Sequence, residues 1–244
     1  MRVDQLLVER GLASSRSQAQ RLIAAGVRWL DHGVWKTVAK NGDDVPLDVE
    51  VELLDLAEAR YVSRGGLKLE GALKAAGIDV AGKRCLDVGQ STGGFTDCLL
   101  QLGATEVTGI DVGSDQLHDK IRSDERVTVF EKVNARELDA EAVGDEFDFV
   151  TADLSFISLT LVLPALVPLL ANEGVMLMLV KPQFELQPGQ VGKRGVVTDQ
   201  SFYAVVEKRI RDCCAELGLK VKGWYDSPVT GGDGNREFFV YASR

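Results

Sequence analysis

The residues richest in chemistry stand at the ends of apolar runs. Phe147-Asp148-Phe149-Val150-Thr151-Ala152 leads into Asp153, and Val175-Met176-Leu177-Met178-Leu179-Val180 leads into Lys181-Pro182. If the two runs are strands of one sheet, a carboxylate and an ammonium share its rim. Such a pair can orient a hydroxyl or move its proton. The alternative for Lys181 is a side chain that snorkels to solvent or pairs with an acid for stability alone. A third run, Leu86-Asp87-Val88, opens into Gly89-Gln90-Ser91-Thr92-Gly93-Gly94-Phe95, a glycine turn of the kind that carries a strand into a helix beside a nucleotide.

That turn lacks the G-x-G-x-x-G spacing that lets a backbone approach pyrophosphate closely. Asp111 follows 22 residues after Gly89, at the offset of a carboxylate that accepts ribose hydroxyls. S-adenosylmethionine, with an adenosine and an amino-acid tail but no phosphates, suits this arrangement. The expected cofactor contacts are Asp87, Gly89, Ser91, Thr92, Gly93, Gly94, Phe95 and Asp111. Glycines in any strand-to-helix crossover can serve packing alone, so the turn needs its neighbours on the rim to carry the reading.

The elements that would hold these residues fall into two regions. In the first, Val3, Leu6 and Leu7 repeat at helical spacing up to Gly11, and Ser14-Ser15 can cap a second helix through Ala19, Leu22 and Ile23 to Gly26. Short alternating segments at Val27–Leu30, Gly33–Lys36 and Val49–Leu53 complete a small α+β module. From Lys83 onward strands near 84–89, 106–111, 127–131, 147–153, 174–180, 219–225 and 236–242 alternate with helices, notably 93–102, 158–170 and 200–217. A further helix spans Leu67–Ala76. This pattern predicts an α/β fold, a Rossmann-like, mainly parallel sheet covered on both faces, with ligands at the carboxyl ends of its strands.

Composition narrows the classes. The formal net charge of −9 argues against a simple nucleic-acid binder, yet residues 1–40 hold seven Lys or Arg against three acids. Arg2, Arg16, Arg21 and Arg28 are the candidate phosphate contacts there, whereas Trp29 and Trp35 read as core rather than as base-stacking surfaces. Lys193 and Arg194, in the loop Pro182–Gln200 behind Lys181, are further candidates for RNA. Cys85, Cys98, Cys213 and Cys214 show no paired C-x-x-C spacing and have only His32 and His118 as potential co-ligands, so no metal site is expected. The start MRVDQLLVER lacks a signal-peptide layout, which predicts a cytoplasmic protein. The apolar stretch Phe156–Ala171 contains Pro164 and Pro168 and is shorter than the roughly 18 apolar residues of a membrane span. It reads as a buried core helix.

Five motifs in order carry a likeness to a known family: Ser63-Arg64-Gly65-Gly66-Leu67-Lys68-Leu69, the run Leu86–Asp97, Ala152-Asp153-Leu154-Ser155-Phe156-Ile157-Ser158, Val180-Lys181-Pro182-Gln183-Phe184-Glu185 and Gly234-Asn235-Arg236-Glu237-Phe238. Over essentially its whole length the sequence resembles the TlyA family, hemolysin-A-like proteins identified as ribosomal-RNA ribose 2′-O-methyltransferases with an FtsJ-like catalytic domain. The stretch Gly11–Ala19 resembles the RNA-binding domain of ribosomal protein S-four. The resemblance implies an RNA-binding domain over 1–58, a linker over 59–62 and a methyltransferase domain over 63–244. It implies S-adenosylmethionine as methyl donor, cytidine in ribosomal RNA or ribosomal subunits as substrate, and a catalytic tetrad of Lys68, Asp153, Lys181 and Glu237. Two positions depart from the family pattern: Gln90 stands where small residues are usual, and Tyr61 where tryptophan is common. The competing readings are a non-catalytic ribosome-assembly factor that keeps the fold and a membrane-active hemolysin.

Overall fold

A computed structural model describes residues 1–54, 60–144, 146–232 and 234–244, with the side chain of Lys193 outside the description. The chain divides into two units, Met1–Leu67 and Lys68–Arg244. The expected domain boundary at residue 58 and the start of the expected linker fall among residues 55–59, outside the described residues.

In the first unit, α1 (Val3–Glu9) and α2 (Arg16–Gly26) precede β1 (Val27–Asp31), β2 (Val34–Thr37) and β3 (Val51–Leu53), which form an antiparallel sheet in the order β2-β1-β3. Ser15 caps α2 as its sequence position predicts, its hydroxyl accepting from Gln18 N at 3.2 Å. Val3, Leu6, Leu7, Leu22, Ile23 and Val27 make the core. Within that core lies the carboxylate of Asp4, fully buried, held by Arg2 Nη2 at 2.9 Å and Arg16 Nη2 at 3.2 Å. Two of the expected phosphate contacts therefore also neutralise a buried acid. Arg28 bonds Glu52 at 2.5 Å and lies over the Trp35 ring at 4.8 Å. Trp29 is half-buried, but Trp35 is not core: all four residues of β2 are exposed, because β2 is an edge strand. Tyr61, the second departure from the family pattern, is buried, and its ring occupies the space a Cβ on Gly66 would need.

The second unit is built on a seven-stranded sheet. Its elements are α3 (Gly65–Ala76, beginning in the first unit), β4 (Arg84–Val88), α4 (Gly94–Gln101), β5 (Glu106–Asp111), α5 (Asp119–Arg122), β6 (Val127–Glu131), α6 (Ala140–Val143), β7 (Phe147–Ala152), α7 (Leu163–Leu166), β8 (Leu170–Val180), α8 (Pro182–Glu185), α9 (Ser201–Glu216), β9 (Lys220–Asp226) and β10 (Phe238–Ser243). The strand order is β6-β5-β4-β7-β8-β10-β9; the first five are parallel, and β10 is antiparallel to both neighbours. Leu86, Val88, Phe147, Val150, Met176, Met178 and Val240 fill the core beneath the rim.

One expected helix is absent as such. The stretch 158–170 is a 3-10 turn (Leu159–Leu161), the four-residue α7 and a second 3-10 turn (Val167–Leu169), and β8 already begins at Leu170. Pro164 and Pro168 stand near the start of the second and third pieces, where a missing N–H is harmless, but neither can continue a helix through from the piece before. Burial follows the reading nonetheless: Leu159, Val162, Leu163, Leu166 and Leu169 are all in the core, although Phe156 is 91% exposed.

Asp4 supplies a test of the first unit. Arg2 beside it holds its carboxyl well below the usual carboxylate range, with Arg16 adding to the effect and burial opposing it. A depressed folded pKa stabilises above the unfolded value and is lost as pH falls. Asp4→Asn should cost about 1–3 kcal/mol at pH 7. In urea denaturation followed by tryptophan fluorescence, the gap between wild type and variant should close as pH drops below about 4.

Candidate active site

The sheet delivers its chemistry at one edge. β4, β5, β7 and β8 end side by side, at Val88, Asp111, Ala152 and Val180, so that Gly89, Asp153 and Lys181 leave the sheet together. β10 runs the other way with Phe238 opposite Val180, which brings Glu237, one residue before it, to the same edge. Lys68 comes from the first turns of α3.

These four side chains form two ion pairs. Lys68 Nζ donates to Glu237 Oε2 at 2.5 Å, and both side chains are nearly buried. Lys181 Nζ stands 2.6 Å from Asp153 Oδ1 and donates to Ser155 Oγ at 3.0 Å. Lys68, Lys181 and Glu237 line a cleft of about 430 Å³ together with Ser155, Phe156, Phe184 and Arg194. A second cleft, of about 450 Å³, is lined by Gly89, Ser91, Asp111 and Asp153 and by the apolar side chains Ile110, Val112, Ile157 and Val162. Ser155 and Phe156 line both. Phe156 holds a positive φ of 65°, unusual for a residue with a side chain, and its ring meets that of Phe184 at 5.1 Å.

The glycine turn is built for close packing. Gly89 has φ 84°, and a Cβ there would come within 2.4 Å of the Asp153 carbonyl oxygen. Only glycine lets the β4 exit lie against the β7 exit. Asp111 accepts from Ser91 N through Oδ2 and from Gly113 N through Oδ1, both at 2.7 Å, so its carboxylate is fixed at the cleft with lone pairs left for hydroxyl donors. The remaining expected cofactor residues divide. Thr92, Gly93 and Gly94 form the turn into α4, with Gly93 in the left-handed conformation at its N-cap, whereas Asp87 and Phe95 are buried, Phe95 stacked on Phe239 at 6.2 Å.

Gln90, the first departure from the family pattern, is also buried. Its Nε2 donates to Thr96 Oγ1 at 2.9 Å, and Thr96 Oγ1 donates to Asp87 Oδ2 at 2.7 Å. Its amide fills the space above Gly109 of β5, so it braces the turn from within the fold. Asp87 Oδ1 has no hydrogen-bond partner among the described residues, and burial pushes the Asp87 carboxyl up to about 7.

Sequence reasoning passed over Glu185. This buried carboxylate accepts from Ser158 Oγ at 2.5 Å and Leu159 N at 2.7 Å, tying the segment after Lys181 to the segment after Asp153. Burial raises its pKa. Its sequence signal is an acid four residues after Lys181, at the end of the Val180–Glu185 motif.

Residues 61–244 match the family described as FtsJ-like methyltransferase, and residues 1–26 match the S4 domain. The 16S/23S rRNA (cytidine-2′-O)-methyltransferase TlyA of Mycobacterium tuberculosis is 47% identical over 241 residues, 98% of this chain and 88% of that protein. The chain belongs to the TlyA family. Another TlyA-family relative, Hemolysin A of Brachyspira hyodysenteriae, is 38% identical over 242 residues, 99% of each chain. A solved structure of a hemolysin-named protein from Streptococcus thermophilus superposes with a TM-score of 0.77 at 40% identity, covering 100% of this chain and 88% of that one. In this TlyA-family chain, no helix among the described residues is long and apolar enough to cross a membrane.

Asp87 gives the site a pH signature. A buried acid whose folded pKa is raised contributes stability below its unfolded value and loses it as pH rises through the folded one, here between about 4 and 7. Asp87→Asn keeps an acceptor for Thr96 and removes the titration. Its melting temperature should exceed that of wild type above pH 7, and the advantage should vanish toward pH 4.

Proposed function

We propose that this chain transfers the methyl group of S-adenosylmethionine to the ribose 2′-oxygen of cytidine in ribosomal RNA. The observation that carries the reading is the juxtaposition of the two Lys–carboxylate pairs with a ribose-competent acid, Asp111, across a wall shared by two clefts. The family supplies the reaction class, and the relative from Mycobacterium tuberculosis is named for this substrate. Residues 1–58 provide RNA affinity through Arg2, Arg16, Arg21 and Arg28, residues 59–62 connect, and residues 63–244 do the chemistry. Arg2 and Arg16 keep 44% and 55% of their side chains exposed while paired to Asp4, so each can reach a phosphate as well.

The cleft around Asp111 fits the methyl donor. Asp111 accepts the ribose hydroxyls, the apolar walls formed by Ile110, Val112, Ile157 and Val162 take the adenine, and Gly89 and Ser91 receive the amino-acid end. Thr92, Gly93 and Gly94 set the turn, while Asp87 and Phe95 support it from behind. When bound, S-adenosylmethionine supplies a sulfonium methyl whose leaving group departs as a neutral thioether.

The chain's own task is the nucleophile. A 2′-hydroxyl attacks well only as its proton leaves. Lys181, oriented by Asp153 and Ser155, is the group that meets this oxygen: as the neutral amine it takes the proton, and as the ammonium it holds the oxygen by charge while the proton passes to the adjacent Asp153 carboxylate. Lys68 and Glu237, locked to each other, position the sugar. Fixing methyl and hydroxyl in line supplies about 7–11 kcal/mol of barrier reduction, which makes positioning the larger share.

Two experiments test this reading. Lys181→Ala should lower methyl transfer to undermethylated ribosomal subunits by about 10²–10⁴-fold while leaving S-adenosylmethionine affinity nearly unchanged. Lys181→Arg restores activity only if the role is electrostatic, because guanidinium stays charged. Asp111→Ala should weaken S-adenosylmethionine binding at least several-fold in calorimetry, and full affinity in a folded variant would remove Asp111 from the site.

A further inference from the structure

One buried amide fastens the loop at the mouth of the tetrad cleft. Asn235 lies two residues before Glu237; its Oδ1 accepts from Val197 N at 2.9 Å, and its Nδ2 donates to Gly195 O at 2.9 Å. Its own carbonyl accepts from Gly231 N at 2.9 Å. The loop also closes on itself, Gly192 N donating to Val196 O at 2.9 Å. Between these ties stands Arg194 at φ 66°, ψ 19°, the left-handed region where a residue with a side chain is strained. Strain kept in a doubly fastened loop beside a reactive cleft points to a use for that side chain.

The charges of the cleft say what the use is. Lys68 is matched by Glu237 and Lys181 by Asp153. Arg194 is exposed, lines the same cleft and has no hydrogen-bond or ion-pair partner among the described residues. A guanidinium presents parallel N–H donors that match two oxygens of a phosphate. A nucleotide whose 2′-hydroxyl reaches Lys181 carries a phosphodiester on the adjacent 3′-oxygen, so a negative charge enters the cleft fixed to the reacting sugar. Resting on the reading of the chain as an RNA ribose methyltransferase, we infer that Arg194, held in place by Asn235, grips the phosphodiester next to the target ribose and sets the sugar against Lys181.

Arg194→Gly tests this, because glycine suits the left-handed backbone and removes the whole side chain with its guanidinium. It should melt no lower than wild type and bind S-adenosylmethionine equally well. Its KM for undermethylated ribosomal subunits should rise about tenfold or more, the loss of one bidentate contact. The slope of log affinity for ribosomal RNA against log salt should shrink by roughly 0.7–0.9, the share of one phosphate contact. Arg194→Lys should recover the salt slope but not the full KM. Asn235→Ala should raise KM by itself yet add little on top of Arg194→Gly, since both act through one contact. Wild-type KM and salt slope in Arg194→Gly, with the parent protein active, would overturn this inference and leave the methyltransferase reading standing. A parent protein that neither binds nor methylates ribosomal RNA would overturn that reading, and this one with it.

Discussion

The pairing of β10 against β8, with Phe238 opposite Val180, decides which residues can meet. Parallel strands all present their carboxyl ends at one edge, so β7 and β8 place Asp153 and Lys181 there without help. A strand that runs the other way presents its beginning at that edge. Glu237 therefore joins Lys68, 169 positions away in sequence, and Asn235 joins Gly195 and Val197, 40 and 38 positions away. A one-residue slip in this register would turn Phe238, Val240 and Ala242, all buried, to the opposite face. The core enforces the register, and the register assembles the site.

Two ion pairs on one rim, one nearly buried and one half-buried, are an expensive arrangement if stability is the only purpose. Desolvating a lysine and a carboxylate offsets much of their attraction, and apolar residues of similar size often do as well. What the pairs provide is fixed direction: Lys181 is ion-paired to Asp153 and donates to Ser155, so its ammonium cannot swing freely, and Lys68 is held by Glu237. Glu185 secures the same rim from below by binding the segment that carries Ser155 and Phe156 to the one that carries Lys181. Preorganised charge of this kind needs little rearrangement when the reaction begins.

Much of this was legible in the sequence, and for stated reasons. Ser15 caps α2 and the β/α alternation gives the sheet because local hydrogen bonding and hydrophobic periodicity are short-range properties. The rim positions of Asp153 and Lys181 follow from where apolar runs stop. Other features depend on partners distant in the chain. That Arg2 and Arg16 share a buried Asp4 is invisible in a count of basic residues, and an exposed Trp35 cannot be told from a buried one until β2 is known to be an edge. Phe156–Ala171 reads correctly as buried but not as one helix, since Pro164 and Pro168 outweigh apolar content. The tetrad as a set came from likeness to a family; spacing alone would not have linked Lys68 to Glu237.

Gln90 and Gly109 carry a consequence for how such sequences diverge. A Cβ at position 109 would lie 2.0 Å from the Gln90 amide, so the long side chain in the turn after β4 occupies the volume that the absent side chain on β5 leaves open. The two positions behave as a single filled space. Shortening residue 90 alone leaves a void beside Asp87 and Thr96, and enlarging residue 109 alone produces a collision. Lineages can move between a small residue in the turn and a glutamine only by way of a paired exchange, or through an intermediate that bears the cost of one half of it.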